Sequence, residues 1–323
     1  MLLMHGRIAD AERELRVAKV LTDRHARGVT PGWVTNWKIV DSECAWLLGR
    51  ALNSLRRPLE ADVYLREAQR QLVEVTTGFP TFHWARYVLA KVYLERSSVL
   101  LQLHREAEAM EQLLQCERNC DYERGATQGL SYVLTDSLFR QGQLLCWNEQ
   151  RNDARRCFEE TKEYSTLVKV TNLIPDDRCH GNIDSPPNVA AIRFATFCPQ
   201  TQFRDAALAL EEAMRSFQPE RGLHWQLLGV GQLRAGLWQE ARQSFEQSIR
   251  RRNGGDAFDH FLLAMTNQQL GDRESALECY RKAVANVDGP LTYYTFTCPR
   301  ELNELRDETE TILGIGHDVI TSE

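Results

Sequence analysis

Apolar residues recur along this chain with a period close to 3.6, and no run shows the strict alternation of a half-buried strand, so the pattern predicts helices throughout. It is most regular from Trp225 to Ala283, where one motif is written twice. Trp225, Leu228 and Gly229 open a helix, Gly236 breaks it, and Ala241, Phe245 and Ser248 continue on a second. His260, Leu263 and Ala264, then Gly271, then Ala276, Tyr280 and Ala283 repeat the scheme, with the breaks 35 residues apart (271 − 236 = 35). Two antiparallel helices can approach closely only where side chains are small, which Gly229/Ala264 and Ala241/Ala276 provide. Leu228, Phe245, Leu263 and Tyr280 fill the gaps beside them. A lone helix pair leaves its apolar face wet until a neighbour stacks on it, so such pairs come in arrays.

Weaker copies precede these two. Leu48, Gly49 and Leu52 with Ala61, Leu65 and Ala68 make one, in which Arg56 stands at the turn where glycine is usual. Leu138, Gly142 and Leu145 with Ala154, Phe158 and Thr161 make another, and Ala206, Leu210 and Ala213 half of one. The segment from Trp84 to Cys116 is helical in pattern but fits the register poorly. About five to seven helix pairs are expected at one per ~34 residues. Gly6, Ala11, Leu15 and Ala18 fit the turn and second helix of a repeat whose first helix is lacking, so the array is expected to begin in mid-repeat.

Two breaks divide the chain. Residues 174–188 hold Pro175, Gly181, Pro186 and Pro187 with several Asp and read as a loop. An irregular aromatic piece with Tyr293, Tyr294 and Phe296 precedes a final helix, Glu301 to Leu313, expected to cover the open end of the solenoid. The predicted organisation is therefore an N-terminal sub-array over 1–173 with an incomplete first repeat, a linker over 174–190, and a C-terminal sub-array over 191–323 with a capping helix.

In 323 residues, 43% hydrophobic and 26% charged, there is enough apolar material for a long continuous core. The net charge of −6 argues against nucleic acid as a partner. The one basic run, Arg250 to Arg252, precedes Asn253-Gly254-Gly255 and reads as a helix stop rather than a phosphate site. The opening Met-Leu-Leu-Met is too short for a membrane span and lacks the apolar core of a signal peptide. Nine cysteines, an odd number, show no zinc-ribbon spacing, which favours reduced thiols in the cytoplasm. Cys116 and Cys120 share a helix face, and Cys179-His180 lies in the loop, so a four-ligand metal site can be drawn; small buried thiols explain the pair more simply. Gly229-Val230-Gly231 has Arg234 where a phosphate loop needs its third glycine, and Gly229 already has a packing role. No cofactor and no catalytic constellation is expected.

The phrases Ala195-Thr196-Phe197-Cys198-Pro199, Phe203-Arg204-Asp205-Ala206, Arg252-Asn253-Gly254-Gly255-Asp256-Ala257-Phe258-Asp259 and Leu313-Gly314-Ile315 carry a resemblance. Residues Phe194 to Ile315 resemble the C-terminal tetratricopeptide region of large bacterial multidomain proteins, many of them serine/threonine protein kinases. Gly6 to about Leu72 is similar to the longer repeats of the same proteins, which resemble those of kinesin light chains. The resemblance implies an all-α tetratricopeptide superhelical solenoid that binds another protein or a peptide, with no membrane insertion. It also implies a piece or relative of a kinase whose catalytic domain lies elsewhere, since the His-Arg-Asp and Asp-Phe-Gly motifs are absent from this chain. A metal- or redox-responsive scaffold is a further alternative.

In stacked pairs the first helices line the concave side. By that register a groove is expected from Gln226, Val230, Leu233 and Arg234 of one repeat with Phe261, Met265, Gln268 and Gln269 of the next, suited to an extended peptide or a helix. The alternative is that Phe261 and Met265 pack against the neighbouring repeat. Val230 and Met265 stand where carboxylate-clamp members of the family carry polar groove residues, which argues against a chaperone tail as partner.

Overall fold

The computed structural model describes residues 7–26, 34–121, 128–170, 189–215, 217–289 and 299–315. Among them are fourteen α-helices and no strand. They are α1 (Ile8–Ala26), α2 (Val34–Ser54), α3 (Pro58–Gly78), α4 (His83–Gln102), α5 (Glu106–Asp121), α6 (Gln128–Trp147), α7 (Arg151–Val170), α8 (Val189–Phe197), α9 (Ala206–Arg215), α10 (Gly222–Arg234), α11 (Trp238–Arg251), α12 (Ala257–Gln269), α13 (Arg273–Ala285) and α14 (Pro299–Leu313). The loop predicted at 174–188, with Cys179 and His180, and the aromatics Tyr293, Tyr294 and Phe296 lie outside the described residues.

From α2 onward the helices form six consecutive antiparallel pairs, α2/α3 to α12/α13. Five of the six turn through a left-handed residue: Arg56 (φ 60), His104 (φ 57), Glu149 (φ 62), Gly236 (φ 77) and Gly271 (φ 80). Around each turn the register is the same. Seven residues back stand Gly49, Ser97, Gly142, Gly229 and Ala264; five residues on, Ala61, Ala109, Ala154, Ala241 and Ala276; all are buried. Nine residues on, Leu65, Leu113, Phe158, Phe245 and Tyr280 fill the space between the helices. The fit is tight, since a Cβ on Gly142 would stand 2.3 Å from the Phe158 ring and one on Gly229 2.7 Å from that of Phe245. Each such buried aromatic or leucine contributes about 1.5–3 kcal/mol relative to exposure.

The pair α4/α5 is thus a repeat in full register, with His104 as its turn and Ser97 and Cys116 at small-residue positions. The turns at Arg56, His104 and Glu149 are 48 and 45 residues apart (104 − 56 = 48; 149 − 104 = 45), so the early repeats are longer than the 35-residue late one. Apart from α5, with 16, their helices run to 20 or 21 residues where α10 to α13 have 13 or 14. α1 packs on α2 and leaves Val17, Val20 and Leu21 exposed. In α9 Ala213 of the sequence register is buried, but Ala206 and Leu210 are only half-buried and Ala209 is buried in their place.

The first helices of the pairs, α2, α4, α6, α8, α10 and α12, contact one another in succession and form one layer. The curvature brings the two ends of the array together: Arg56, at the α2–α3 turn, donates to the carbonyls of Val287 (2.9 Å) and Gly289 (3.3 Å) beyond α13. α14 departs from the stacking rule. In a regular array it would lie on α13; instead it packs mainly on α12.

Candidate interaction face

α14 reads PRELNELRDETETIL, with Glu301, Glu304 and Glu308 at spacings of three and four, so one helical stripe carries the three carboxylates. Together they meet three first helices. Glu301 Oε1 accepts from Gln143 Nε2 of α6 (3.0 Å) and Arg193 Nη2 of α8 (2.8 Å). Glu304 Oε1 accepts from Trp147 Nε1 of α6 (2.6 Å). Both terminal nitrogens of Arg234, on α10, bond the Glu308 carboxylate, with Nη2 at 2.8 Å from Oε2. Further along, the Tyr280 hydroxyl of α13 donates to Glu310, and Arg273 Nη1 donates to the Leu313 carbonyl at 3.0 Å. The helix, about 22 Å long, packs on α12 and reaches α6, α8 and α10 through these long side chains.

The apolar side of α14 completes the seal. Leu302, Leu305 and Leu313 are buried with Phe258, Phe261, Leu262 and Met265 in one cluster. Behind the acidic stripe the wall is basic. Arg193 also bonds Asp136 (2.8 Å) and lies over the Phe139 ring, while Arg234 lies over Phe197. Burial and the neighbouring Arg234 charge lower the pKa of Arg204, whose nearest carboxylate, Glu308, is 4.0 Å away. Burial alone would raise Glu308, but the Arg234 hydrogen bond and charge outweigh it and hold the carboxyl below its ordinary value. Between wall and helix a cavity of about 240 Å³ is left, lined by Phe197, Pro199 and Arg204 on one side and by Glu304, Leu305 and Glu308 on the other.

The eight residues placed in an open groove by the sequence fall differently. Gln226 and Val230 are fully buried, as are Phe261 and, within a few per cent, Leu233 and Met265; they belong to the core between α10, α12 and α14, the packing alternative. Arg234 and Gln268 are half-buried, Arg234 in its pair with Glu308, and only Gln269 is exposed. The register identifies the right layer, and a second layer, α14, covers it. The charge pairing of α14 with Arg193 and Arg234 escaped the sequence reading. Its signal was the acidic stripe itself, which has three carboxylates and no lysine.

Other sequence candidates resolve into packing. Gly229 faces the Phe245 ring, and a Cβ on Gly231 would stand 2.9 Å from the Leu210 Cα, so both glycines serve helix contact inside α10. In Arg252-Asn253-Gly254-Gly255-Asp256-Ala257-Phe258-Asp259, α11 ends at Arg251, Asn253, Gly254 and Gly255 take positive φ, and Asp256 caps α12 in a capping box with Asp259. Arg252 turns inward to Asp256 and Asp259. Cys116 and Cys120 are buried core positions of α5, and the Cys116 thiol donates to the Ala90 carbonyl (3.4 Å). Burial pushes Cys157 up to about 11 and Cys198 to about 12, which keeps both as unreactive thiols at neutral pH. Asp23, Asp41 and Glu67 come within 4.8 Å of one another. Lys19 Nζ already contacts all three, at 2.6, 3.0 and 3.1 Å, so an ammonium supplies the cation there.

Among the described residues no helix is long and apolar enough to cross a membrane. No curated protein matches the chain. Among solved structures it is similar to a chain in the crystal structure of the APC/C hetero-tetramer Cut9-Hcn1, with 11% identity, a TM-score of 0.27, and coverage of 97% of this chain and 75% of that one. The tetratricopeptide-repeat family matches residues 260–285, from α12 through α13, so the chain contains a tetratricopeptide repeat within an all-α solenoid of such helix pairs.

Proposed function

We propose that this protein is a non-catalytic interaction scaffold that holds a helical segment on the inner layer of its repeats. The observation that supports this most is α14, a helix seated across α6, α8, α10 and α12 by ion pairs and leucines rather than stacked in register. Helix-in-groove recognition uses the same elements, apolar anchors at helical spacing with charges at the margin. The cavity behind α14 has no nucleophile and base arranged for chemistry; arginines, carboxylates and apolar groups line it. A role beside a serine/threonine kinase, which the sequence resemblance implies, would be the same scaffold serving a catalytic domain elsewhere.

Photo-crosslinking in the source cell tests the reading without disturbing the core. A crosslinker at the exposed Gln269 or the exposed Asn303 is expected to give discrete protein adducts. One at the exposed Glu246 of α11 is not. Adducts from Glu246 alone, or from none of the three, contradict the proposal.

A further inference from the structure

We infer that α14 is the resident stand-in for an acidic amphipathic helix of a partner protein, and that this partner takes the same seat on the inner layer when α14 leaves it. The inference rests on the scaffold reading and names the ligand class. Three observations carry it. First, α14 is not a continuation of the stack: every described first helix from α4 to α12, except α8, packs extensively on the second helix before it, whereas α14 touches α13 little and lies on α12. It is joined to the array as a ligand is, by its face. Second, the match is one of charge. The wall offers Arg193, Arg204 and Arg234, and α14 answers with Glu301, Glu304 and Glu308, while Leu302 and Leu305 between them enter the apolar cluster. The recognisable pattern is Glu-Leu, Glu-Leu three residues on, and a third Glu seven residues on from the first. Third, α14 does not fill its seat. The cavity of about 240 Å³ lies under Glu304, Leu305 and Glu308, and Arg204 stands 4.0 Å from its nearest carboxylate. A partner helix with a bulkier apolar residue at the Leu305 position, or a carboxylate reaching Arg204, would fit the wall better than α14 does.

The probe is a fluorescein-labelled peptide of residues 299–313, measured by anisotropy against the full chain and against a full chain with Leu302→Ser and Leu305→Ser. A resident helix lowers apparent affinity by the fraction of time it occupies the site, so the double variant should bind the peptide about tenfold more tightly or better. Adding Arg234→Glu to that chain should abolish binding, and a peptide with Glu308→Arg should recover it. Equal affinity for the two folded chains, or indifference to the charge swap, overturns the inference. Hydrogen exchange on the unaltered chain decides independently, and decides alone if the double variant loses its helical circular dichroism. α14 amides exchanging about tenfold faster than those of α12 support it, and the two helices exchanging together refute it. Concentration-dependent dimers of the unaltered chain that trade α14 between copies would put a second copy in the seat and also refute it. Crosslinks from Gln269 with no peptide binding would leave the scaffold standing and remove only this ligand assignment.

Discussion

Asp259 is fully buried, and both of its oxygens are engaged. Oδ1 accepts from Gln226 Nε2 and Ser248 Oγ, each at 2.9 Å, and Oδ2 from the Asp256 amide (3.1 Å) and Arg252. One carboxylate thereby joins α10, α11 and the start of α12, which fixes how the last two complete repeats stack. Asp259→Ala removes the acceptor that Gln226 and Ser248 share and one of the two carboxylates facing Arg252, which keeps Asp256, so it should destabilise the chain by about 3 kcal/mol. Asp259→Asn, which keeps one oxygen, should cost less. Urea unfolding measures both, and an Ala variant within about 1 kcal/mol of the unaltered protein would contradict the assignment. The Asn-Gly-Gly-Asp phrase was legible in the sequence as distinctive but not as this network, because the spacing of Gln226 and Ser248 from Asp259 has meaning only once the helices are paired. The α4/α5 repeat was hidden for a related reason. Ser97, His104 and Cys116 satisfy the steric demands of the motif without being the glycines and alanines that announce it.

Helix pairs could be read from periodicity because each depends on local contacts between small residues a fixed distance from a turn. α14 could be read as a helix, but not where it lies, since its placement depends on a hydrogen bond and an ion pair to residues as distant in sequence as Gln143 and Arg193. The same contact explains why Val230, Phe261 and Met265, correctly assigned to first helices, are not open to solvent. The seat of α14 should also depend on pH. Glu308 has a folded-state pKa below its ordinary 4.5 because Arg234 overcomes the effect of burial. Its contribution is therefore fully present above pH 4.5 and is lost as the pH falls through the lower folded value. Fluorine NMR of fluorotryptophan at Trp147, which bonds Glu304, should report α14 loosening in that acid range. Glu308→Gln should abolish this component and weaken docking at neutral pH by about 1–3 kcal/mol. An unchanged acid transition in the Gln variant would show that Arg234 and Glu308 do not hold the helix.

At the scale of the whole molecule, the six pairs form a curved array whose end reaches back to its beginning at Arg56, with its own terminal helix laid along the inner layer. An end cap and an inner-face helix bury similar leucines and would give similar helix content, so only position distinguishes them. Nitroxide labels at the exposed Asn148, beside Trp147 at the end of α6, and at the exposed Asn303 of α14 measure that position by pulsed electron resonance. Because Trp147 and Glu304 are in direct contact, the labels should lie within one or two helix diameters, about 10–20 Å. Were α14 instead stacked beyond α13, the pairs α8/α9, α10/α11 and α12/α13 would stand between the labels, and a distribution centred well beyond about 20 Å would contradict the account.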